Sequence, residues 1–416
     1  MLTFHKPVDF YESNYDQSIA EDAFLKVKQE CDSQKIGYYK LPTNSKEVIK
    51  ELESFVSKNE VAANANTIVV VGIGGSSLGA KAIDSLLAHK KQNNKKIIFF
   101  ENSDPVDISS KLNSFEKNDC VVILISKSGG TIETISTFKT IMNHFDFDFS
   151  VDSKRLIAIT DPGSILSQFA SEHGIKEFNM PSNVGGRFSV LTAVGLVPLY
   201  LAGYNVSNLL DGADEFVNSF FDRNEDHLLQ KAYYMFKNKD QKSINVIFSY
   251  ANCLENLSKW YVQLWGESLG KIDTNGKNVG LTPIGLTGSV DQHSFLQLII
   301  EGPKDKTVTF MNIDDFEDDI KIPDMSLKHI EKTDYINGNS FNKLINAQCD
   351  ATMQSLIDSN VPTDKISLSR VDEKNIGAII IYFELLTSLV GSMLNVNTYD
   401  QPGVELGKQI LVKKFK

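Results

Sequence analysis

The chain has 416 residues, of which 42% are hydrophobic and 23% are charged, a composition typical of a globular protein. At roughly 150 residues per domain, this length predicts two or three domains with a core that needs no disulfide bonds. The net charge of −11 argues against a nucleic-acid partner, and the four widely spaced cysteines argue against a disulfide framework or a CxxC zinc site.

Apolar runs in the first half of the chain predict a parallel sheet. The runs at 68–73, 97–100, 121–126 and 156–160 are short and rich in Val and Ile, as expected of buried strands. Segments long enough for helices separate them. This alternation indicates βαβ units.

A weaker set of similar signals follows in the second half. The segments 243–250 and 307–313 read as strands, with a helix at 252–268 between them. We place a boundary between two α/β units near 202–215. The halves show no sequence identity to each other, so the twofold division is a hypothesis from element order alone.

One apolar stretch, at 376–394, is nearly long enough to span a membrane. It carries Glu384 close to its centre, which costs about 2.5–3.5 kcal/mol on membrane-insertion scales. We therefore predict a buried core helix. The first residues of the chain include acids and lack an apolar segment, so they do not resemble a signal peptide, and we expect a cytoplasmic protein.

A glycine-rich turn, GIGGSSLG (72–79), follows the first predicted strand. Such a turn before a helix lets backbone N–H groups approach an anion. A dinucleotide, a phosphate and a tight corner without a ligand are all possible from this motif. Ser77 breaks the GxGxxG fingerprint of dinucleotide folds, although Glu101 could imitate the acid that holds a ribose.

A second loop of small polar residues, SKSGGTIET (126–134), follows the third predicted strand. Because the carboxyl ends of parallel strands meet at one crevice, we expect the two loops to lie together. Short hydroxyl donors and free amides suit a single phosphate monoester better than a long dinucleotide. The alternative without a ligand is a cluster of helix-capping Ser and Thr residues.

Several motifs recur together in the order of one family. With GIGGSSLG, ISKSGGTIET, VGGRFSVLTAVG, GESLGK, DQHSF and YDQPGVELGK, which span residues 72–408, the chain resembles the phosphoglucose isomerase family of the sugar isomerase (SIS) superfamily. The resemblance implies an α/β fold of two α/β/α sandwich subdomains with mainly parallel sheets. It also implies a homodimer and the reversible conversion of glucose 6-phosphate to fructose 6-phosphate, with no metal or organic cofactor.

On this resemblance we divide the chain into four parts. These are an N-terminal helical segment (1–40), a first SIS-type subdomain with the phosphate-binding loops (41–205), a second subdomain (206–395) and a C-terminal segment that returns to the active site (396–416).

The resemblance also assigns residues to roles. The general base falls on Glu267, the arginine beside the developing enediolate on Arg187, and the ring-opening histidine on His293, which in the family reaches the site from the partner subunit. Lys408 is expected as an electrostatic partner at the site. The substrate-binding positions carried over are Gly75, Ser76, Ser126, Lys127, Ser128, Thr131, Thr134 and Gln401.

Aldose–ketose chemistry explains these residue types. A carboxylate such as Glu267, expected near a helix end capped by Gly270, can carry a proton between C1 and C2. A fixed guanidinium can stabilise the enediolate that forms. We expect His293 in the first turn of a helix, where the dipole favours a neutral imidazole that can move a proton during ring opening.

Two other functions remain as alternatives. A sugar-phosphate sensor would use the same fold, but binding alone does not require Glu267, Arg187 and His293. A nicotinamide dehydrogenase would use the glycine turn, whose fingerprint Ser77 breaks. The other histidines show no metal-ligand spacing.

Overall fold

The computed structural model describes residues 2–6 and 15–415, and within them two five-stranded sheets form the framework. Numbered in chain order, strands β1 to β12 are Leu2–His5, Thr67–Val71, Lys96–Phe100, Cys120–Ile125, Leu156–Thr160, Lys176–Asn179, Ile244–Ser249, Lys271–Ile272, Asn278–Val279, Thr282–Thr287, Lys306–Asp315 and Thr363–Arg370. The first sheet has the order β3-β2-β4-β5-β6 and is entirely parallel. The second has the order β1-β12-β11-β7-β10, and β8 and β9 form a separate pair.

Helices connect these strands. They are Gln17–Asp32, Leu41–Asn44, Lys46–Val56, Glu60–Asn64, Leu78–Leu87, Pro105–Leu112, Ile132–His144, Phe149–Asp152, Ile165–Glu172, Ala193–Leu201, Val206–Phe221, His227–Asn238, Glu255–Leu269, Leu296–Ile300, Phe341–Asp358, Glu373–Met393 and Glu405–Phe415. Side-chain caps fix several of their starts. Asp104, for example, accepts a hydrogen bond from the amide of Val106 (2.9 Å) ahead of a proline at the first helical position.

The first sheet is buried on both faces because its side chains alternate between two apolar clusters. In β2, Ile68 and Val70 point into the large central cluster, whereas Val69 and Val71 point into a smaller outer one. All five residues of β2 are buried. Helices therefore cover both faces, which explains why the strand reads as an unbroken apolar run.

The second sheet repeats this arrangement and shares the central cluster. Ile247 of β7 and Met311 of β11 join the central cluster, whereas Val246 and Phe310 pack in a third cluster on the opposite face. The two sheets thus share one apolar interior, and each has a separate apolar cluster on its other face. This confirms the predicted α/β fold of two sandwich units with mainly parallel sheets.

Strand β1 is the antiparallel exception. It pairs with β12, with Leu2 opposite Leu368, and its Phe4 ring lies 4.0 Å from the ring of His227 and 5.1 Å from that of Tyr382. The expected helical segment 1–40 therefore also supplies an edge strand to the second sheet, which the sequence analysis did not predict.

The apolar helix Glu373–Met393 lies in the interior of the protein. It is long and apolar enough to cross a membrane, but 83% of its most apolar window is buried against the rest of the chain. Glu384 is 1% exposed, and neither of its carboxylate oxygens has a hydrogen-bond partner. This burial holds the pKa of Glu384 well above its ordinary value. The predicted core helix is confirmed.

The predicted strands of the first half agree with β2 to β5 to within two residues, and those of the second half correspond to β7 and β11. The proposed boundary near 202–215 begins at the turn between helices Ala193–Leu201 and Val206–Phe221. The exact subdomain limits remain predictions.

Replacing Glu384 by Gln should reduce the dependence of stability on pH. Because the folded pKa is raised above the ordinary value of 4.5, the unfolded chain releases a proton that the folded chain retains. Wild-type stability therefore falls as pH rises above the unfolded pKa, by about 1.4 kcal/mol per pH unit until the folded pKa is reached. In urea unfolding, Glu384→Gln should gain stability relative to wild type as the pH rises above the ordinary pKa of a glutamate.

The matched control is Glu47→Gln, since the Glu47 side chain is 77% exposed. It should follow the wild-type pH dependence. Parallel curves for wild type and Glu384→Gln would contradict the assignment of a buried, protonated carboxyl.

Candidate active site

Two glycine-rich turns meet backbone to backbone beside the first sheet. The 3-10 turn Gly74–Ser76 follows β2, and a second 3-10 turn spans Gly186–Phe188. A Cβ atom added to Gly75 would lie 2.3 Å from the carbonyl carbon and oxygen of Gly186, so only glycine permits this approach. The contact brings Ser76 and Arg187, the residues that follow the two glycines, into one site.

The second polar loop lies beside the first, as expected from their adjacent parallel strands. A Cβ atom at Gly72 would be 3.3 Å from the carbonyl oxygen of Ile125. The Ser126 hydroxyl accepts a hydrogen bond from the amide of Gly129 (3.1 Å) and lies 3.2 Å from the Thr131 hydroxyl. The loop is therefore shaped by its own hydroxyl groups.

Three other polar side chains of this loop differ in their hydrogen-bond partners. Ser128 accepts a hydrogen bond from the amide of Gly130 (3.3 Å), and the ammonium of Lys127 donates to the carbonyl oxygen of Val184 (3.2 Å). The hydroxyl of Thr134 is buried and has no hydrogen-bond partner. Buried hydroxyls usually have partners, so a role in binding an oxyanion is one explanation of this unpaired group.

Arg187 is buried, with 2% exposure, and all five N–H donors of its guanidinium have acceptors. The acceptors are the Ser268 hydroxyl (2.7 Å), the Gln401 amide oxygen (3.0 Å), the Glu267 carboxylate (3.4 Å) and the carbonyl oxygens of Thr398 and Asp400 (3.1 Å for the latter). Burial lowers the pKa of Arg187, and the charge of Glu267 opposes that shift. The result is a cation in a fixed orientation.

Glu267 lies near the end of helix Glu255–Leu269, which is capped by Gly270 as expected. Its Oε1 accepts a hydrogen bond from Gln263 one turn earlier (3.2 Å), and its Oε2 faces Arg187. The Glu267 side chain is 34% exposed. The carboxylate is therefore oriented by two neighbours and remains accessible from solvent.

The structure adds residues to which the sequence analysis gave no role. One is Gln263, which donates to Glu267. Another is Lys271, whose ammonium donates to the carboxylate of Asp400 (2.9 Å) and whose side chain is only 6% exposed. Burial lowers the pKa of Lys271, with the hydrogen bond to Asp400 acting in the opposite direction. Lys271 and Asp400 both occur in the quoted motifs GESLGK and YDQPGVELGK, which was the available signal.

The prediction that His293 lies in the first turn of a helix is wrong. His293 ends the 3-10 turn Val290–His293, is exposed, and precedes a helix that begins at Leu296. Asp291 accepts a hydrogen bond from the Ser294 hydroxyl (2.6 Å), and Ser294 has a φ of −132°, outside the helical range. These local interactions end the turn before the helix starts.

Lys408 also lies apart from the Arg187 cluster within this chain. It is on the exposed C-terminal helix Glu405–Phe415, its ammonium is 2.7 Å from Glu405, and its side chain is 64% exposed. The structure therefore brings together Arg187, Glu267 and Gln401, but not His293 or Lys408.

Two further observations concern possible metal ligands and Glu101 in residues 2–6 and 15–415. In that part of the chain, no group of three or more His, Cys, Asp or Glu side chains is placed to hold a metal ion. Glu101, the candidate ribose-binding acid, forms an ion pair with Lys81.

Most of the chain matches a protein-family model. Residues 38–415 fit the model for phosphoglucose isomerase. The chain belongs to the phosphoglucose isomerase family. The expectation from the sequence motifs is confirmed at the level of the family.

Individual relatives agree with this membership. A glucose-6-phosphate isomerase of Campylobacter jejuni subsp. jejuni is 44% identical over 386 residues, which cover 93% of each chain. The crystal structure of a hypothetical protein from Thermus thermophilus is similar over the whole of both chains, with a TM-score of 0.90 and 29% identity. A glucose-6-phosphate isomerase structure from Chlamydia trachomatis shares the fold, with a TM-score of 0.73 and 22% identity over 88% of this chain and 73% of that one.

Replacing Gly75 by Ala should damage the contact between the two turns. The new methyl group would overlap the backbone of Gly186, which cannot rotate away as a side chain can. We expect a loss of about 1–3 kcal/mol of unfolding free energy, typical of overpacking, and a lower turnover of fructose 6-phosphate.

Gly407→Ala is the control, because no atom lies within 4 Å of a Cβ at Gly407. It should not lose unfolding free energy, and a gain of up to about 1 kcal/mol is expected because alanine has the higher helix propensity. Equal stability and turnover of Gly75→Ala and wild type would show that the turns do not make the close contact described.

Proposed function

We propose that this chain catalyses the reversible interconversion of glucose 6-phosphate and fructose 6-phosphate, as a cytoplasmic enzyme of glycolysis and gluconeogenesis. The observation that carries the proposal is the pairing of Glu267 with a buried Arg187 at 3.4 Å, beside two polar loops. A proton carrier and a fixed cation are what an enediolate intermediate requires. Membership of the phosphoglucose isomerase family supports the choice of substrates.

The two polar loops would hold the phosphate group. Ser76, Ser126, Ser128 and Thr131 carry hydroxyls at neighbouring strand ends, and the free hydroxyl of Thr134 offers a further donor. The protein as a whole carries a net charge of −11, so an anionic substrate needs local donors of this kind.

Glu267 would act as the acid–base group. Its carboxylate removes the proton from C2 of open-chain glucose 6-phosphate, and the bonding electrons form the C1–C2 double bond of an enediolate. Glu267 then returns the proton to C1 while the O2 proton is transferred to O1, so that C2 becomes the carbonyl carbon of fructose 6-phosphate and C1 carries the hydroxyl. The substrate is oxidised at one carbon and reduced at its neighbour, so the reaction requires no external electron acceptor.

Arg187 would stabilise the negative charge on the enediolate oxygens. Its Nε and Nη2 groups bind Ser268 and backbone carbonyls, whereas Nη1 binds the side chains of Gln401 and Glu267. Nη1 is thus the part of the guanidinium next to the proposed base. Loss of such a donor typically costs about 10²–10³ in rate.

Ring opening by His293 would require a second copy of the chain, because His293 lies outside the Arg187 cluster. Val290 and Leu298, near His293 in sequence, are 66% and 45% exposed. On the C-terminal helix with Lys408, Leu406 is 65% and Phe415 is 85% exposed. Exposed apolar groups of this kind mark contact surfaces, which supports a homodimer that completes each site with His293 and Lys408.

Glu267→Gln should remove the isomerase activity while leaving phosphate binding intact. The amide keeps the size of the side chain but cannot accept the proton from carbon, so kcat should fall by at least about 10²–10⁴ with a similar KM. A coupled assay that detects glucose 6-phosphate formed from fructose 6-phosphate measures this. The matched control is Glu255→Gln, since Glu255 is an exposed residue at the other end of the same helix.

The same assay separates the proposal from the sensor alternative. Wild-type protein that binds fructose 6-phosphate but forms no glucose 6-phosphate would support a sensor. Unchanged turnover by Glu267→Gln would exclude this residue as the base.

Mixing two inactive variants tests the shared site. In a twofold dimer of Glu267→Gln with His293→Ala, one site combines intact Glu267 with intact His293, and the other site has neither. After subunits are exchanged at random, about one quarter of wild-type activity should return, because half of the dimers are mixed and each has one complete site. If the mixture stays as inactive as its components, His293 does not act across subunits.

A further inference from the structure

The segment 398–401 supplies three of the five acceptors around Arg187. Nη2 donates to the carbonyl oxygens of Thr398 and Asp400, which flank Tyr399, and Nη1 donates to the side chain of Gln401. The exposed helix Glu405–Phe415 follows soon after this segment. The orientation of the guanidinium therefore depends on whatever fixes segment 398–401.

The first anchor of this segment is the Tyr399 side chain. Its hydroxyl donates to the carboxylate of Glu30 and lies 3.1 Å from the Ser388 hydroxyl. Glu30 also accepts a hydrogen bond from Tyr39 (2.8 Å), whose hydroxyl is 2.9 Å from that of Tyr399. Tyr399 thus ties the segment to helices Gln17–Asp32 and Glu373–Met393 by hydrogen bonds.

The ring of Tyr399 adds a second contact with the arginine turn. It lies 5.5 Å from the ring of Phe188, the residue after Arg187. Phe188 in turn stacks on Tyr38 at 4.9 Å. The segment and the turn that carries Arg187 are therefore packed against the same group of rings.

The second anchor is Lys271. Its ammonium donates to both the carboxylate (2.9 Å) and the backbone carbonyl of Asp400. Lys271 comes directly after Gly270, which ends the helix that carries Glu267 and Ser268. This ion pair therefore links segment 398–401 to the helix of the proposed base.

We infer that Tyr399 and Lys271 are positioning residues, which hold segment 398–401 so that Arg187 keeps its Nη1 group beside Glu267. The inference rests on the proposed function. Without either anchor, the carbonyl oxygens of Thr398 and Asp400 can move, and the guanidinium moves with them. The polar loops that would bind phosphate lie on other elements, so substrate affinity should change little.

Tyr399→Phe tests the first anchor because it removes only the hydroxyl. We expect kcat to fall about tenfold or more, with KM within about threefold of wild type, since misplacement of a charge-stabilising group by a fraction of an ångström slows the reaction step. The control is Tyr204→Phe, which removes the hydroxyl of a buried tyrosine that donates to Asp84 (2.5 Å), away from segment 398–401 and its partners. It should keep the wild-type kcat.

Lys271→Met tests the second anchor, and Lys271→Arg, which can still pair with Asp400, should recover part of the lost kcat. In an Arg187→Lys background, Tyr399→Phe should have little additional effect if Tyr399 acts through Arg187. Full additivity of the two substitutions, or equal losses in Tyr399→Phe and Tyr204→Phe, would show a merely structural role and overturn the inference.

A measurement without catalysis separates this inference from the proposed function. Hydrogen–deuterium exchange of residues 396–402 should be faster in Tyr399→Phe than in wild type and unchanged in Tyr204→Phe. A wild-type protein that lacks isomerase activity would refute the proposed function, while faster exchange would still support the anchor. Unchanged exchange in both Tyr399→Phe and Lys271→Met would overturn the anchor even if the enzyme is active.

Discussion

The site depends on the burial of one guanidinium. A charged group removed from water is costly unless its hydrogen-bonding groups have partners, and Arg187 meets this condition with acceptors from two distant parts of the chain. Helix Glu255–Leu269 contributes Glu267 and Ser268, and segment 398–401 contributes carbonyl and amide oxygens. Satisfying the buried charge therefore brings the base close to the cation.

The site residues come from parts of the chain beside both sheets, and the close approach at Gly75 brings these parts together. The polar loops belong to the first sheet, whereas the helix with Glu267 packs in the shared apolar interior next to the second. The turn with Arg187 joins these parts, because it touches the Gly75 backbone on one side and Glu267 on the other. The residues proposed for phosphate binding and for proton transfer thus come from different halves of one chain.

The sequence predicted best the strands β2 to β5, in which at most one residue is polar or charged. Strand β12 (Thr363–Arg370) was missed because it carries charges, among them Asp364, which is buried and pairs with Lys231 at 2.6 Å. Hydropathy cannot reveal a buried ion pair whose partners are far apart in sequence. Strand β1 was missed for another reason: four residues at the start of a chain, only two of them large and apolar, give too little pattern for a period-two signal.

The same distinction between local and distant information applies to the site. Motifs named Arg187 and Glu267, but their 3.4 Å contact joins positions 80 residues apart, and only the folded chain shows it. The local conformation of His293 was predicted wrongly because a hydrogen bond of Asp291 ends the turn early. His293 and Lys408 also lie away from the buried cation, next to exposed apolar residues. The proposed homodimer would bring these two residues to a site that a second copy completes, whereas the fold of one chain brings together only Arg187, Gln401 and the proposed base Glu267.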